Sequence, residues 1–182
     1  MVWKGKVVFG VLLAAACIAT PAQATVVCGF DPDASTHGLG GGQFTVDIVA
    51  DITDVSVFGW GLDLDFSTSG IVQLDSITLG PLWDEPGSTG DGDGLAGAAF
   101  PDSVSGLDLL LATLTFTPLA LGETDLILSH DNPPDLTEGF PLDPTGFEED
   151  ETFNLGHITI VPEPATLALL FLSGLVAVRR RR

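Results

Sequence analysis

An alternation of apolar and polar residues with a period of two is the feature that most restricts the fold. In residues 60–66 every even-numbered position is apolar, and every odd-numbered position is glycine or aspartate. Successive side chains of a β-strand point to opposite faces, so this pattern predicts a strand with one buried face. The same alternation recurs in residues 44–48, 110–116 and 158–160. The pattern therefore predicts a protein built from half-buried strands.

Turn-rich segments separate these strands from further ones. We predict additional strands at residues 71–79, 95–100 and 125–129, and turns at residues 81–94, 101–106, 131–134 and 141–146. No window of the sequence offers a convincing amphipathic helix. About seven or eight short strands within residues 25–161 predict an all-β fold, an antiparallel two-sheet sandwich. A jelly-roll topology is the open alternative.

Charges are segregated along the chain. All six lysine and arginine residues lie near the two ends, and none occurs between Val7 and Val178. The 25 acidic residues, except Glu163, all lie within residues 25–161, and the formal net charge is -19. Nucleic acid is excluded as a partner of this middle segment, because binding to phosphates needs clustered cations. Divalent cations and cationic surfaces are the expected neighbours.

The first 24 residues have the three-part plan of a secretory signal peptide. Lys4 and Lys6 precede an apolar run at residues 7–18, and Ala22-Gln23-Ala24 supplies the small-residue cleavage site. We predict a signal helix that signal peptidase removes after Ala24. The alternative is lipidation of Cys17, because residues 14–16 loosely resemble a lipobox. Cleavage leaves Cys28 without a partner for a disulfide, and we interpret it as a small structural residue and not a reactive thiol.

The other end of the chain combines a turn, an apolar run and four arginines. Residues 165–178 carry no charge, and as a helix they would span about 21 Å of the roughly 30 Å of bilayer hydrocarbon. Snorkelling of Arg179, Arg180, Arg181 and Arg182 on the inner side makes a marginal span feasible. We predict a short C-terminal transmembrane helix that acts as a temporary anchor, with a plain tail anchor as the alternative.

Val161-Pro162-Glu163-Pro164, followed by that apolar run and the arginines, closely resembles the PEP-CTERM sorting signal of Gram-negative bacteria. The resemblance implies that an exosortase-type membrane protease reads Pro162, Glu163 and Pro164, while the arginines act as a membrane stop. It also implies export, transient retention in the inner membrane, and then processing and release to the cell surface or an extracellular matrix rich in exopolysaccharide.

The middle of the chain shows a second resemblance. The run of residues 43–66, together with residues 109–116, is similar in pattern to cohesin and related carbohydrate-binding sandwiches. These families are binding modules, so the resemblance implies a cohesin-like β-sandwich that works by contact. It reproduces no specific partner-binding residues, and none is assigned from it. The resulting division is a signal peptide at 1–24, an acidic sandwich domain at 25–160 and a sorting tail at 161–182.

The loop Asp91-Gly92-Asp93-Gly94 is the candidate calcium site, with Asp91 and Asp93 as ligands. It does not complete an EF-hand, because Leu95 takes the fifth position, and a solvated turn is the alternative interpretation. Three further acidic groups are Asp63 with Asp65, Asp131 with Asn132 and Asp135, and residues 148–151. Because the carboxylates repel one another with no internal cation, we predict that calcium stabilises the domain.

The sequence gives little support to catalysis. The sequence places no nucleophile near the three histidines and gives them no metal-ligand spacing. We therefore interpret His37, His130 and His157 as having no catalytic or metal-binding role. Trp60 belongs to the alternating apolar set and is predicted to be core, whereas Trp83 lies in a loop and is the candidate for stacking on sugars. The favoured function is a non-enzymatic exported protein with a structural or adhesive role. A calcium-assisted carbohydrate-binding module is the alternative, and a secreted hydrolase is a distant third.

Overall fold

The computed structural model describes residues 26–84, 95–130, 138–144, 146 and 150–163. This part of the chain forms eleven strands and no helix. The strands are β1 (Val26–Asp31), β2 (Ala34–Gly38), β3 (Phe44–Val57), β4 (Gly59–Gly61), β5 (Asp63–Phe66), β6 (Val72–Leu79), β7 (Ala96–Ala98), β8 (Val104–Pro118), β9 (Gly122–Ser129), β10 (Glu151–Phe153) and β11 (Gly156–Val161). A helix able to cross a membrane is accordingly not found within these ranges.

The strands form two main sheets. Sheet A has five strands in the order β10-β1-β3-β8-β6, and sheet B has four in the order β2-β11-β9-β5. A separate pair, β4 and β7, lies beside them. Most neighbours are antiparallel, but β10 is parallel to β1 and β11 is parallel to β2. The predicted all-β two-sheet sandwich is confirmed, with these two parallel pairs added at its edges.

The core lies between the sheets and follows the predicted alternation, except at Leu110, which was predicted to face the core: a register shift between β3 and β8 leaves Leu110 on the outer face and buries Leu111. Alternate residues of β3 and β8 that face sheet B are buried, as are Ile158 and Ile160 of β11. At the centre, the ring of Phe116 contacts Phe44 of sheet A and Phe66 of sheet B, at centroid distances of 5.6 and 6.2 Å. Each such side chain contributes about 1.5–3 kcal/mol by leaving water, so this layer holds the sheets together.

The single strand predicted at residues 60–66 is wrong, because the chain changes partners at Leu62. Residues before it, in β4, pair with β7, and residues after it, in β5, pair with β9 of sheet B. Leu62 itself is buried, and its N–H donates to the carbonyl of Leu95. When two successive strands bury the same side, their apolar residues alternate with polar ones with a period of two across both. The sequence pattern is then the same as that of one longer strand.

The turn predicted at residues 101–106 is also too long, because β8 already begins at Val104. This end of β8 is irregular: its register with β3 shifts, and Gly106 has a φ of 156°. Asp108 follows in the left-handed region with a φ of 52°. Glycine and aspartate adopt positive φ values in a bulged strand as well as in a turn. The sequence pattern therefore suggested a turn where the strand is bulged.

Several predictions fall outside the described residues. They are the signal helix with its cleavage after Ala24, the transmembrane helix of residues 165–178 with Arg179–Arg182, Pro164 of the sorting signal, the calcium candidates Asp91 and Asp93, the loop containing Asp131 and Asp135, and residues 148–149 of the acidic run.

Candidate interaction surface

Both tryptophans of the sandwich are core residues. Trp60 is 2% exposed, as predicted, but Trp83 is only 5% exposed, so the proposed sugar-stacking role of Trp83 is wrong. Their rings meet edge to face at 6.4 Å, and Trp83 Nε1 donates to the carbonyl of Leu110 at 2.9 Å. Backbone hydrogen bonds between Asp84 and Ala98 fold the predicted loop back onto the core. The indole N–H of Trp83 therefore has its hydrogen-bond partner inside the protein.

Cys28 is fully buried on the inner face of β1. Burial raises the pKa of its thiol well above the usual range, and the nearby carboxylates of Glu151 and Asp51 raise it further. A thiol that stays protonated is a poor nucleophile. The interpretation of Cys28 as a small structural residue is therefore supported.

The three histidines make contacts that the sequence did not indicate. His130, just after β9, forms an ion pair with Glu151 of β10 and packs against the ring of Phe153. His157 Nδ1 lies 2.7 Å from Asp125 Oδ1 on the neighbouring strand β9. His37 stacks on Phe44 at 3.6 Å, and burial lowers its pKa. Two of the histidines thus join neighbouring segments through carboxylates.

Thr159, His157 and Asp125 follow one another in the order hydroxyl, imidazole, carboxylate, as in a hydrolytic triad. Thr159 Oγ1 lies 3.4 Å from His157 Nε2, and His157 Nδ1 contacts Asp125. Catalysis of acyl transfer also needs backbone N–H groups aimed at the developing oxyanion. Because β11 is paired with β2 on one side and β9 on the other, its N–H groups are used within the sheet. The contact between His157 and Asp125 therefore joins β11 to β9, and the paired backbone of β11 offers no free N–H group to an oxyanion at this position.

The Asp125–His157 contact predicts an acid-sensitive contribution to stability. The hydrogen bond from His157 holds the pKa of Asp125 below its ordinary value of 3.8. Because the folded pKa is lower than the unfolded one, the contribution is present above pH 3.8 and is lost as pH falls through the folded value. Asp125→Asn is therefore expected to lower the urea midpoint at pH 6 more than at pH 2.5. Asp65→Asn, which removes an exposed carboxylate from the adjacent strand β5, is the matched control, and an equal loss for Asp125→Asn at both pH values would contradict the assignment.

The acidic candidates that lie in the described part of the chain do not assemble into a metal site. Asp63 and Asp65 lie on β5, in register with Ser129 and Ile127 of β9. Within the described ranges, no three His, Cys, Asp or Glu side chains come together in a way that would hold a metal ion. The calcium hypothesis for Asp91 and Asp93 stays a prediction.

Three residues of the sorting signal are described: Val161 is the last residue of β11, and the two that follow it differ in environment. Pro162 is exposed, whereas Glu163 is half-buried against the glycine-rich turn that follows β2. A Cβ on Gly40 would lie 2.5 Å from Glu163 Oε1, and one on Gly38 would lie 3.1 Å from its Cγ. The signal therefore begins at Val161, the last residue of β11, and stays in contact with the sandwich through Glu163.

A groove crosses the outer face of sheet A. Two adjoining cavities of about 440 Å³ and about 770 Å³ share Asp33, Val49 and Asp108 among their lining residues. Gly29 of β1 lies opposite Val49 of β3, which lies opposite Leu110 of β8, so an apolar row runs across three strands. A Cβ on Gly29 would meet only Asn154 within 4 Å. The missing side chain leaves a depression in this row.

Carboxylates border the apolar row on both sides. On one side Asp31 of β1 lies directly opposite Asp47 of β3. On the other side Asp51 of β3 accepts a hydrogen bond from the backbone N–H of Asp108 at 2.8 Å. At about 3.3 Å per residue, the Cα atoms of Asp47 and Asp51 are about 13 Å apart. The sequence indicated an acidic surface but not this groove, because its residues come from three strands that only the sheet brings together.

Comparison with known proteins gave matches for the C-terminal sorting signal and for the sandwich. Residues 161–182 match the model of the PEP-CTERM protein-sorting motif. The seventh ScaB type I cohesin from Pseudobacteroides cellulosolvens is 17% identical, with a TM-score of 0.51 over 76% of this chain and 92% of that chain. The cohesin module from a family 33 glycoside hydrolase of Clostridium perfringens is 14% identical, with a TM-score of 0.53 over 78% and 100%.

A third similar structure is the third ScaB cohesin of R. flavefaciens, solved in complex with a group 1 dockerin. It is 14% identical and has a TM-score of 0.51 over 78% of this chain and 99% of that chain. A comparison with curated proteins found no match. The sorting motif implies an exported protein. Residues 161–182 are thus a PEP-CTERM protein-sorting motif, and the sandwich that precedes them has a cohesin-like fold.

Proposed function

We propose that this chain is an exported, non-catalytic protein of the surface or extracellular matrix of a Gram-negative bacterium, with a structural or adhesive role. Signal peptidase removes residues 1–24, the tail holds the protein briefly in the inner membrane, and an exosortase-type protease then processes the tail. The observation that carries the proposal is the sorting motif at residues 161–182, which begins at the last residue of β11.

Contact, and not turnover, is the role that the sandwich geometry favours. His130 and His157 are engaged with carboxylates of neighbouring segments, and Thr159 lies on a strand whose backbone is paired on both sides. The cohesin of R. flavefaciens, which shares the fold, was solved bound to a protein partner. A sandwich of this kind presents broad sheet faces, which suit binding to another macromolecule.

The intact mass of the protein recovered from the producing cell tests this proposal. We expect the surface fraction to contain a species that starts at Thr25 and lacks the mass of the arginine tail, and the inner-membrane fraction to contain a larger precursor. A protein found only in the cytosol, with residues 1–24 and Arg179–Arg182 intact, would overturn the proposal. Incubation with a panel of polysaccharides should give no turnover.

A further inference from the structure

We infer that the groove on sheet A is a docking surface for an extended segment of a partner protein that carries the pattern cation-x-aliphatic-x-cation. This inference rests on the proposed function, because it specifies which face makes the contact and what chemistry it selects. Three features of the groove carry it: an exposed apolar row, carboxylates on both borders, and the spacing between those borders.

The apolar row is open to solvent. Val49 and Leu110 are half-buried on the outer face, and Leu155 at the edge of the groove is 59% exposed. Binding is favoured when an aliphatic side chain fills a depression beside exposed apolar surface, because that surface is then removed from water. The depression above Gly29 is therefore the natural position for the central side chain of a ligand.

The borders select positive charge. Asp31 and Asp47 lie directly opposite each other, and like charges in this position destabilise an antiparallel pair. In the described part of the chain, the carboxylates of Asp31, Asp33 and Asp108 have no ion-pair or hydrogen-bond partner. A bound cation would relieve this repulsion, so charge complementarity favours lysine or arginine in the ligand.

Once the lysines of the signal peptide and the arginines of the tail have been removed as proposed above, the cations must come from another protein. No lysine or arginine occurs between Val7 and Val178, so the sandwich of a second copy cannot supply them. Lysine and arginine also carry aliphatic stems that can lie along the apolar row while the charged group reaches a border. These properties distinguish a protein segment from a metal ion, which would use the carboxylates but not the row.

Spacing defines the pattern. In an extended segment the side chains i, i+2 and i+4 share a face, and the outer two are about 13 Å apart. Asp47 and Asp51 likewise lie four residues apart on β3, so a segment with this spacing that runs along the strand can bring one outer side chain to each of them. A segment running along the strands therefore places one cation on each border and its central aliphatic side chain in the depression.

The test is a titration of the protein recovered from the producing cell with a fluorescently labelled peptide, Gly-Arg-Ser-Leu-Ser-Arg-Gly, at low salt. We expect saturable binding that weakens with added salt. Moving the leucine by one position, in Gly-Arg-Leu-Ser-Ser-Arg-Gly, keeps the composition but turns the leucine away, and should weaken binding about tenfold. Replacing both arginines of the first peptide by glutamates should abolish binding.

Variants of the protein locate the site. Gly29→Val fills the depression in a region where a Cβ makes only ordinary contacts, so the fold is retained while affinity falls about tenfold. Asp31→Asn with Asp47→Asn should reduce affinity similarly, and should not reduce stability, because it removes a repulsion while the amide oxygen at position 47 can still accept the hydrogen bond that Thr113 Oγ1 donates. Thr115→Val, on the same face but outside the groove, should bind like the wild type.

Three outcomes would overturn the inference. They are no binding to the wild type, equal binding to both arginine peptides, and unchanged binding to Gly29→Val. If calcium chloride binds at the groove and the peptides do not, the occupant is a metal ion and the inference is wrong. Each of these results leaves the proposed function standing as long as the mature protein is found at the cell surface, so the two failures can be told apart.

Discussion

Alanine at positions 162, 163 and 164 together is expected to abolish release, leaving the whole population in the inner membrane with the arginine tail attached. The protease is proposed to read the turn and the carboxylate of Pro162, Glu163 and Pro164. The substitutions remove both features and leave the apolar run and the arginines unchanged. Cell fractionation followed by intact-mass measurement of each fraction reads the result.

A matched control carries the same types of substitution elsewhere. Pro81→Ala with Glu123→Ala changes one exposed proline and one exposed glutamate of the sandwich, and this variant should be processed like the wild type. If the triple variant reaches the surface with the mass of the mature wild type, the motif is not what the protease reads. If the control variant is retained as well, the defect lies in folding or export.

Phe116→Ala is expected to lower the free energy of unfolding by about 3–5 kcal/mol. Phe116 is fully buried and contacts rings from both sheets, so its loss leaves a cavity that neither sheet can close alone. Domains of this size are stable by only about 5–15 kcal/mol, so the variant should be close to unfolding at 37 °C. Urea titration followed by tryptophan fluorescence measures the change, because Trp60 and Trp83 lie in the core.

Thr115→Ala is the control for Phe116→Ala. Thr115 is the next residue of β8 and points to the outer face, so its truncation should cost about 0.5 kcal/mol or less. A loss for Phe116→Ala that is no larger than that of Thr115→Ala would show that the two sheets are not held together through this ring.

The fold was predictable from the sequence wherever one face of a strand is buried. Residues 44–48 and 112–116 show this, because their alternate apolar positions line the core, whereas Leu110 was predicted to face the core and lies on the outer face, beyond a shift in the register of β3 with β8. Strand partners were not predictable, since the break at Leu62 leaves the period of two unchanged. Strand β2 was missed for a different reason: it is an edge strand of sheet B, with no fully buried side chain to create a pattern.

The candidate groove was much less predictable than the fold. Asp47 alternates with core residues and was expected on an outer face, but Val49 lies beyond the predicted alternation, and Asp31 and Gly29 lie in β1, which was not predicted. The depression depends on the absence of a side chain at Gly29, which has meaning only when Val49 and Leu110 lie beside it. Trp83 shows the opposite error, because the polar composition around it suggested a loop open to solvent, while the backbone of Asp84 pairs it with the core.

The position of β11 determines how the anchored protein bears mechanical load. From Val161 to the first residue of the apolar run, the chain can extend only about 13 Å, so the sandwich stays close to the bilayer while the tail is attached. Any pull on the tail is transmitted into β11, which lies between β2 and β9 and not at the rim of its sheet. Its hydrogen bonds run across the pulling direction and are loaded together, in shear. The C-terminal tail is thus attached to one of the strands that are hardest to pull out of the sandwich.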